Sequence, residues 1–478
     1  MKRSKKLYIL LGVLVIVCGV TFGVSRYEQK KEEIKNSDEI ILELKTEDVT
    51  ALSWEYDETK LAFHKDETWL YDEDDAFPVN DQKVEDMLGL FESFGVSFII
   101  ENVEDYAQYG LDDPACTIHI ETEADTYDIQ LGNYSTMDEE RYVSIGDGNV
   151  YLVSTDPMET FEIELKDMIL HDELPSIDQA DMITFEGCEN YQIVYQEESD
   201  ATYNTEDVYF VGEDDNYLPL DTSTVENYLL SVENLNLTKY VSYNATEQEL
   251  EEYGLNDPEL TMTIQYMAPK EENENGEVDG ESEESKTFVL QLSRSAEEKA
   301  KVTEDDVNET SDSMEEEVPA YVRIGESNII YEVTESEYDS LMAASYNELR
   351  HQEIFWADFS EVYKVDISMD DTSYTLTSKE EDEETIWSYG DEEVAIDEFK
   401  SALNLLTASE FTDTEVDGKE EISLTLYLNN ENYPTVQIGL YRQDGEHCTA
   451  VVDGETVALV ARSEVVDLIE AVNTIVLN

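Results

Sequence analysis

The hexapeptide Tyr109-Gly110-Leu111-Asp112-Asp113-Pro114 returns 144 residues later as Tyr253-Gly254-Leu255-Asn256-Asp257-Pro258. Self-similarity in the same order along the chain, here at offsets that grow from 141 to 179 residues, means that one supersecondary unit is built more than once. The flanks agree. Phe77-Pro78-Val79 precedes an apolar stripe of Val84, Met87, Leu88 and Phe91, and Leu218-Pro219-Leu220 precedes Val225, Tyr228, Leu229 and Val232. The i, i+3, i+4, i+7 spacing marks one buried helix face in both copies. Asn80 and Asp221 stand where an N-cap is needed. Downstream, Tyr142-Val143-Ser144-Ile145-Gly146 reappears as Tyr321-Val322-Arg323-Ile324-Gly325.

A degenerate third copy closes the chain. Phe399, Ala402, Leu403 and Leu406 restate the stripe. Val436-Gln437-Ile438-Gly439 matches Ile129-Gln130-Leu131-Gly132 and Leu290-Gln291-Leu292-Ser293. The Tyr-Gly-Leu turn is missing there. In the first two copies Gly110 and Gly254 can take positive φ without steric cost. Asp113 and Asp257 precede Pro114 and Pro258 and are pushed toward extended backbone. Tyr109, Leu111, Tyr253 and Leu255 supply apolar anchors. The motif therefore reads as a tight turn pinned to a core, ahead of any role in contacting a ligand.

One unit is expected to contain strands near 52–56, 60–64 and 68–71, a helix over 81–94, and a strand at 97–101. After the turn come strands near 116–121, 127–131, 141–145 and 150–153, then a helix over 157–168. Short alternating runs between tight turns predict mostly antiparallel sheet. The expected class is α+β: tandem repeats of mostly antiparallel sheet with packed helices, plus one N-terminal transmembrane helix. Repeat 1 spans 46–172, repeat 2 178–350 and repeat 3 356–478. Two tracts of repeat 2, near 269–285 and 294–318, are rich in Glu, Asp, Ser and Asn and are expected to be disordered loops.

Residues 7–24 carry no charge, and 18 helical residues span about 27 Å, close to a bilayer's hydrocarbon core. Lys2, Arg3, Lys5 and Lys6 precede them, which places residues 1–6 in the cytoplasm and the bulk outside. The exit Phe22-Gly23-Val24-Ser25 fits a cleavage site poorly, and Val17 is too bulky before a lipidated Cys18. The reading is an uncleaved anchor over 7–24 and a charged stalk over 25–45. A cleaved signal peptide is the rival.

The net charge is −88, and the first 35 residues hold eight Lys/Arg against three Asp/Glu, leaving −93 for the remainder. Such a surface repels phosphate backbones, so no nucleic-acid partner is expected. The acid is spread along the whole chain and reads as a solvated skin. Asp72-Glu73-Asp74-Asp75 and Glu213-Asp214-Asp215 do not complete a calcium loop. Cys116, Cys188 and Cys448 form no C-x-x-C pair and read as small buried residues. The five histidines, His64, His119, His171, His351 and His447, are not spaced from one another as metal ligands. Trp54, Trp69, Trp356 and Trp387 read as core anchors. No catalytic, cofactor or metal residue is assigned.

The order of Trp69, Pro78-Val79, helix, Tyr-Gly-Leu turn and Tyr-Val-x-Ile-Gly strand resembles the domain-of-unknown-function 4340 family, over most of residues 45–350. The resemblance implies a bacterial envelope protein held at the membrane, often associated with auxiliary components of gliding-type ABC transporters. It implies no activity and no site residues. The function expected is a non-catalytic extracytoplasmic binding or scaffold protein, with a membrane-protein complex as partner. An extracytoplasmic hydrolase with dispersed acids, or a cation-binding surface protein, are the alternatives.

Overall fold

In the strand Val49–Tyr56, Val49, Leu52 and Trp54 are buried while the residues between them face outward. Its partner Cys116–Thr122 buries Cys116, Ile118 and Ile120. Alternation of this kind seats one face of an antiparallel pair on a core and leaves the other to solvent. The same central pair recurs as Gln179–Gly187 with Leu260–Pro269, and as Val362–Met369 with Lys419–Leu428. Val49 and Leu52 are an odd number apart, yet both face inward. The reason is a register shift between Val49 and Ala51, where an extra residue flips the alternation. The shift recurs between Ala180 and Met182 and between Val362 and Lys364, so Val49, Ala180 and Val362 are equivalent, as are Trp54, Phe185 and Ile367.

The structure, a computed structural model, describes residues 39–101, 103, 105–213, 216–269, 283–305, 317–381, 384–416 and 418–477. The chain divides between His171 and Asp172 into two compact units, the first carrying repeat 1 and the second repeats 2 and 3. Among the described residues each repeat forms one large sheet, of eight strands in repeat 1 and nine in repeats 2 and 3. On one side of the central pair lies the meander that precedes the helix. On the other lies the meander that follows the turn, closed by the short strand Phe98–Ile100, Tyr240–Ser242 or Ala408–Phe411. The intervening helices are Asp81–Gly89, Thr222–Glu233 and Asp397–Asn404. The first two are capped by Asn80 and Asp221, whose side chains accept from Lys83 N and Thr224 N.

The architecture corrects the α+β expectation. Four antiparallel sheets dominate, and helices are few and short, the longest described being Arg462–Val476. They cover sheet faces and build no layer comparable to the sheets. No helix among the described residues is long and apolar enough to cross a membrane. The run 7–24 expected to do so lies outside the described residues, as do 25–38 of the expected stalk. The rest of that stalk is not a stalk: Glu39–Leu42 pairs with Phe94–Val96 in a two-stranded sheet, and Leu42 and Leu44 are buried. The helix expected over 157–168 is two single turns, Met158–Phe161 and Leu165–Met168, because Glu162 leaves helical backbone at φ −81°, ψ 61°. The 81–94 helix stops at Gly89, freeing Phe94–Val96 for its strand.

Part of the acidic stretch expected to be disordered is ordered. Residues Ala296–Asp305 form a helix, while 270–282 and 306–316 lie outside the described residues. Polar partners account for the order. The Arg294 guanidinium donates to Val318 O at 3.3 Å and Glu335 at 3.2 Å, and lies 3.9 Å from the Tyr338 ring centroid. The Tyr321 hydroxyl donates to buried Glu298 at 2.7 Å. Charge-assisted bonds in a sheltered place, made by the terminal nitrogen of Arg294 though not by its Nε, offset part of the ordering entropy.

Candidate functional site

The repeated turn packs inward in both copies. Gly110 and Gly254 hold φ of 70° and 75°, and Leu111 and Leu255 are buried. The Tyr109 ring packs on Tyr142 at 5.0 Å, and Tyr253 on Tyr321 at 4.5 Å. These partners open the Tyr-Val-x-Ile-Gly strand, so the two halves of the repeat motif recognise each other. Pro114 and Pro258, both half-buried, lead into the strands Cys116–Thr122 and Leu260–Pro269.

The cysteines divide. Cys116 and Cys448 are buried, and burial pushes their thiols up to about 12 and about 11. Cys188 is exposed, contrary to the buried reading, because it follows Gly187 at a hairpin turn, with its thiol against Glu259 O at 3.1 Å. Only the thiolate attacks an electrophile. Partial burial and the nearby Glu259 raise the Cys188 thiol as well, so exposure makes the difference: iodoacetamide at pH 8 is expected to modify Cys188 slowly in the folded chain and to reach Cys116 and Cys448 only after denaturant is added. Peptide mass spectrometry reads the difference.

Four of the five histidines lie apart from one another or at the surface. His64, His119 and His447 are half-exposed and pair with Asp72, with Asp128 and Glu121, and with Asp444. His351 is different: it is buried at the junction of repeats 2 and 3. Its Nε2 lies 2.9 Å from Oδ1 of Asp207, whose side chain is 1% exposed and whose other oxygen accepts from the Thr202 hydroxyl at 2.6 Å. A carboxylate only accepts, so Nε2 carries the hydrogen, and Nδ1 is the ring nitrogen left to offer a lone pair to a ligand. Nδ1 faces Asp221 Oδ2 at 3.8 Å, beyond hydrogen-bond reach. One donor atom from each of Asp221, His351 and Glu353 lies within 4.8 Å of the others.

Local structure explains how the three arrive. Asp221 is the cap of Thr222–Glu233; one oxygen is used by Thr224 N, which leaves Oδ2 free to turn toward the ring. Asp221 N donates to Leu349 O at 3.1 Å, which ties the cap to the segment carrying His351. That segment is extended, with Ile354 N donating to Leu406 O at 3.0 Å and Ala408 N to Gln352 O at 2.7 Å. His351 and Glu353, two apart on extended backbone, therefore share a side. The imidazole stacks on Trp356 at 5.1 Å and 10°, and Trp356 stacks on Tyr203 at 4.7 Å. Burial holds the Tyr203 phenol well above its ordinary pKa, so it stays neutral. Trp54, Trp69 and Trp387 are buried core residues, whereas Trp356 is half-buried beside the site.

A cavity of about 320 Å³ opens over these groups. Its walls bring Glu206, Asp207, Asp221 and Glu353 together and include no Lys or Arg. This arrangement can hold a cation and can orient an imidazole. Sequence reasoning missed it because Asp221 and His351 are 130 residues apart; His351-x-Glu353 on an extended segment was the one local signal.

The fold and the junction define a tandem array of antiparallel-sheet modules with a buried carboxylate–imidazole cluster between two of them. The chain belongs to the family described as Domain of unknown function (DUF4340), whose model matches residues 69–258 and 211–425. Both matches begin at equivalent strands, Trp69–Tyr71 and Tyr209–Glu213, and each runs on into the next repeat. A search of the curated proteins found no match.

Proposed function

We propose that the protein is a non-catalytic binding or scaffold protein displayed outside the cytoplasm, retained at a membrane through residues 7–24, and working as an accessory of a membrane complex of the ABC-transporter type. The observation that carries this reading is the building of one strand order three times, with the Tyr-Gly-Leu turn of the first two copies spent on internal packing. Repetition of a packed module multiplies solvated surface, which suits contact with a partner. The charge pattern supports the orientation: basic residues cluster before residue 7, and the remaining mass is strongly acidic. The test is chemical crosslinking in intact cells, followed by recovery of the tagged full-length chain from solubilised membranes. The expected result is one membrane-protein partner at a constant ratio. Recovery of the chain alone, or from the soluble fraction, would reject the proposal.

A further inference from the structure

We propose that Asp221, His351 and Glu353 bind one divalent transition-metal ion, and that the ion fastens repeat 2 to repeat 3. Donors around a zinc-like ion with bonds near 2.1 Å stand about 3.4 Å apart. The three donors here lie within 4.8 Å, so small side-chain rotations close the set. The His351 side chain is nine-tenths buried, and its Nδ1 has no hydrogen-bond partner while facing the cavity. The opposite nitrogen is held by buried Asp207, which Thr202 fixes in turn. A carboxylate behind a ligating imidazole sets its tautomer and raises its basicity. Asp207, Asp221 and Glu353 also gather around one ring, and no Lys or Arg lines the cavity wall to offset them.

The donor set selects the ion. An imidazole suits zinc and its neighbours, whereas calcium and magnesium prefer oxygen alone. The cavity leaves room for waters to complete the coordination. Asp221 belongs to the helix cap of repeat 2, and 351–354 is zipped by backbone hydrogen bonds to 406–408 of repeat 3. A bound ion therefore bridges the two repeats. The inference does not depend on the proposed scaffold role, since a metal-fastened junction serves any function of these modules.

The experiment uses the full-length chain in detergent, stripped with a chelator and titrated with Zn2+ alone in the presence of excess Ca2+. The calcium occupies the diffuse acidic surface. One Zn2+ per chain is expected to bind regardless. E353Q and D221N are expected to weaken it at least tenfold, the latter keeping a competent helix cap. D207N, acting through the ring, should weaken it by about 10–100-fold. Zinc should also slow amide exchange over 349–354 in the parent chain and not in E353Q. Glu353 is half-buried and carries no side-chain hydrogen bond among those described, so E353Q tests the site even where H351A does not fold. Equal zinc binding by parent and E353Q, complete displacement by Ca2+, or exchange indifferent to zinc would overturn the proposal. Any of these would leave Asp207, His351 and Asp221 as a metal-free polar cluster at the junction.

Discussion

Trp54→Ala is expected to destabilise repeat 1 by about 3–5 kcal/mol, read as a shift of the urea unfolding midpoint. Trp54 is 1% exposed and sits mid-strand, opposite Leu61 on one side and Ile118 on the other. Its ring stacks on Phe63 at 5.6 Å and meets the edge of Phe161 at 5.5 Å. Phe63 leads on to Tyr71 and Phe77, so the indole begins a line of aromatic contacts across the sheet. Alanine leaves a cavity that neighbouring strands cannot collapse into, because both are held by ladder hydrogen bonds. Trp54→Phe is the informative companion. The indole Nε1 is buried without a hydrogen-bond partner, so phenylalanine loses ring area but also removes an unsatisfied donor. Its cost is expected to be less than half that of alanine. Equal losses from the two variants would show that ring size and not cavity formation governs the position.

What the sequence disclosed and what it hid follow from the range of the interactions. The Tyr-Gly-Leu turn, the N-caps Asn80 and Asp221 and the buried stripes are written in residues a few positions apart. The positive φ of Gly110 and Gly254 follows from glycine chemistry alone. The recurring bulge at Val49, Ala180 and Val362 has no residue signature, and it decides which side chains of the central strands enter the core. Helical content was overread because the apolar stripes are real but brief, and the strand Phe94–Val96 claims residues that the 81–94 pattern assigned to helix. Order in Ala296–Asp305 depends on Arg294 and Tyr321 reaching partners that composition does not reveal. The Asp221, His351 and Glu353 cluster was hidden for the same reason. Its members come from a helix cap in repeat 2 and from an extended segment that repeat 3 positions.

Gly132→Val is expected to cost about 3 kcal/mol, at the upper end for overpacking, because the obstacle is backbone. A Cβ at Gly132 would stand 2.3 Å from Tyr109 O and 2.9 Å from Leu111 Cγ. The turn lies directly on this strand, at a register shift between Leu131 and Tyr134, and the Asn133 side chain in turn fills the space beside Gly110. Gly132 O also accepts from Arg141 at 2.7 Å, and Arg141 is paired with Asp156, so the strand cannot retreat. Valine must therefore lift the turn, exposing Leu111 and parting Tyr109 from Tyr142. Gly95→Ala provides the contrast: its nearest new contact is Glu39 O at 3.9 Å, and its effect should stay within about 1 kcal/mol. The second repeat sets the limit of tolerance, since buried Ser293 stands where repeat 1 has Gly132. There the turn glycine Gly254 would place a Cβ 2.8 Å from the Ser293 hydroxyl and 2.7 Å from Arg294 O. A hydroxymethyl group is thus the largest side chain the chain itself accommodates under this turn. Gly132→Ser carries the same Cβ against Tyr109 O and should therefore also lose stability, by about 2 kcal/mol, short of valine because it lacks the second branch. Urea denaturation of the three variants would rank Gly95→Ala, Gly132→Ser and Gly132→Val in order of increasing loss. A valine variant as stable as the parent would mean that the turn does not rest on this strand.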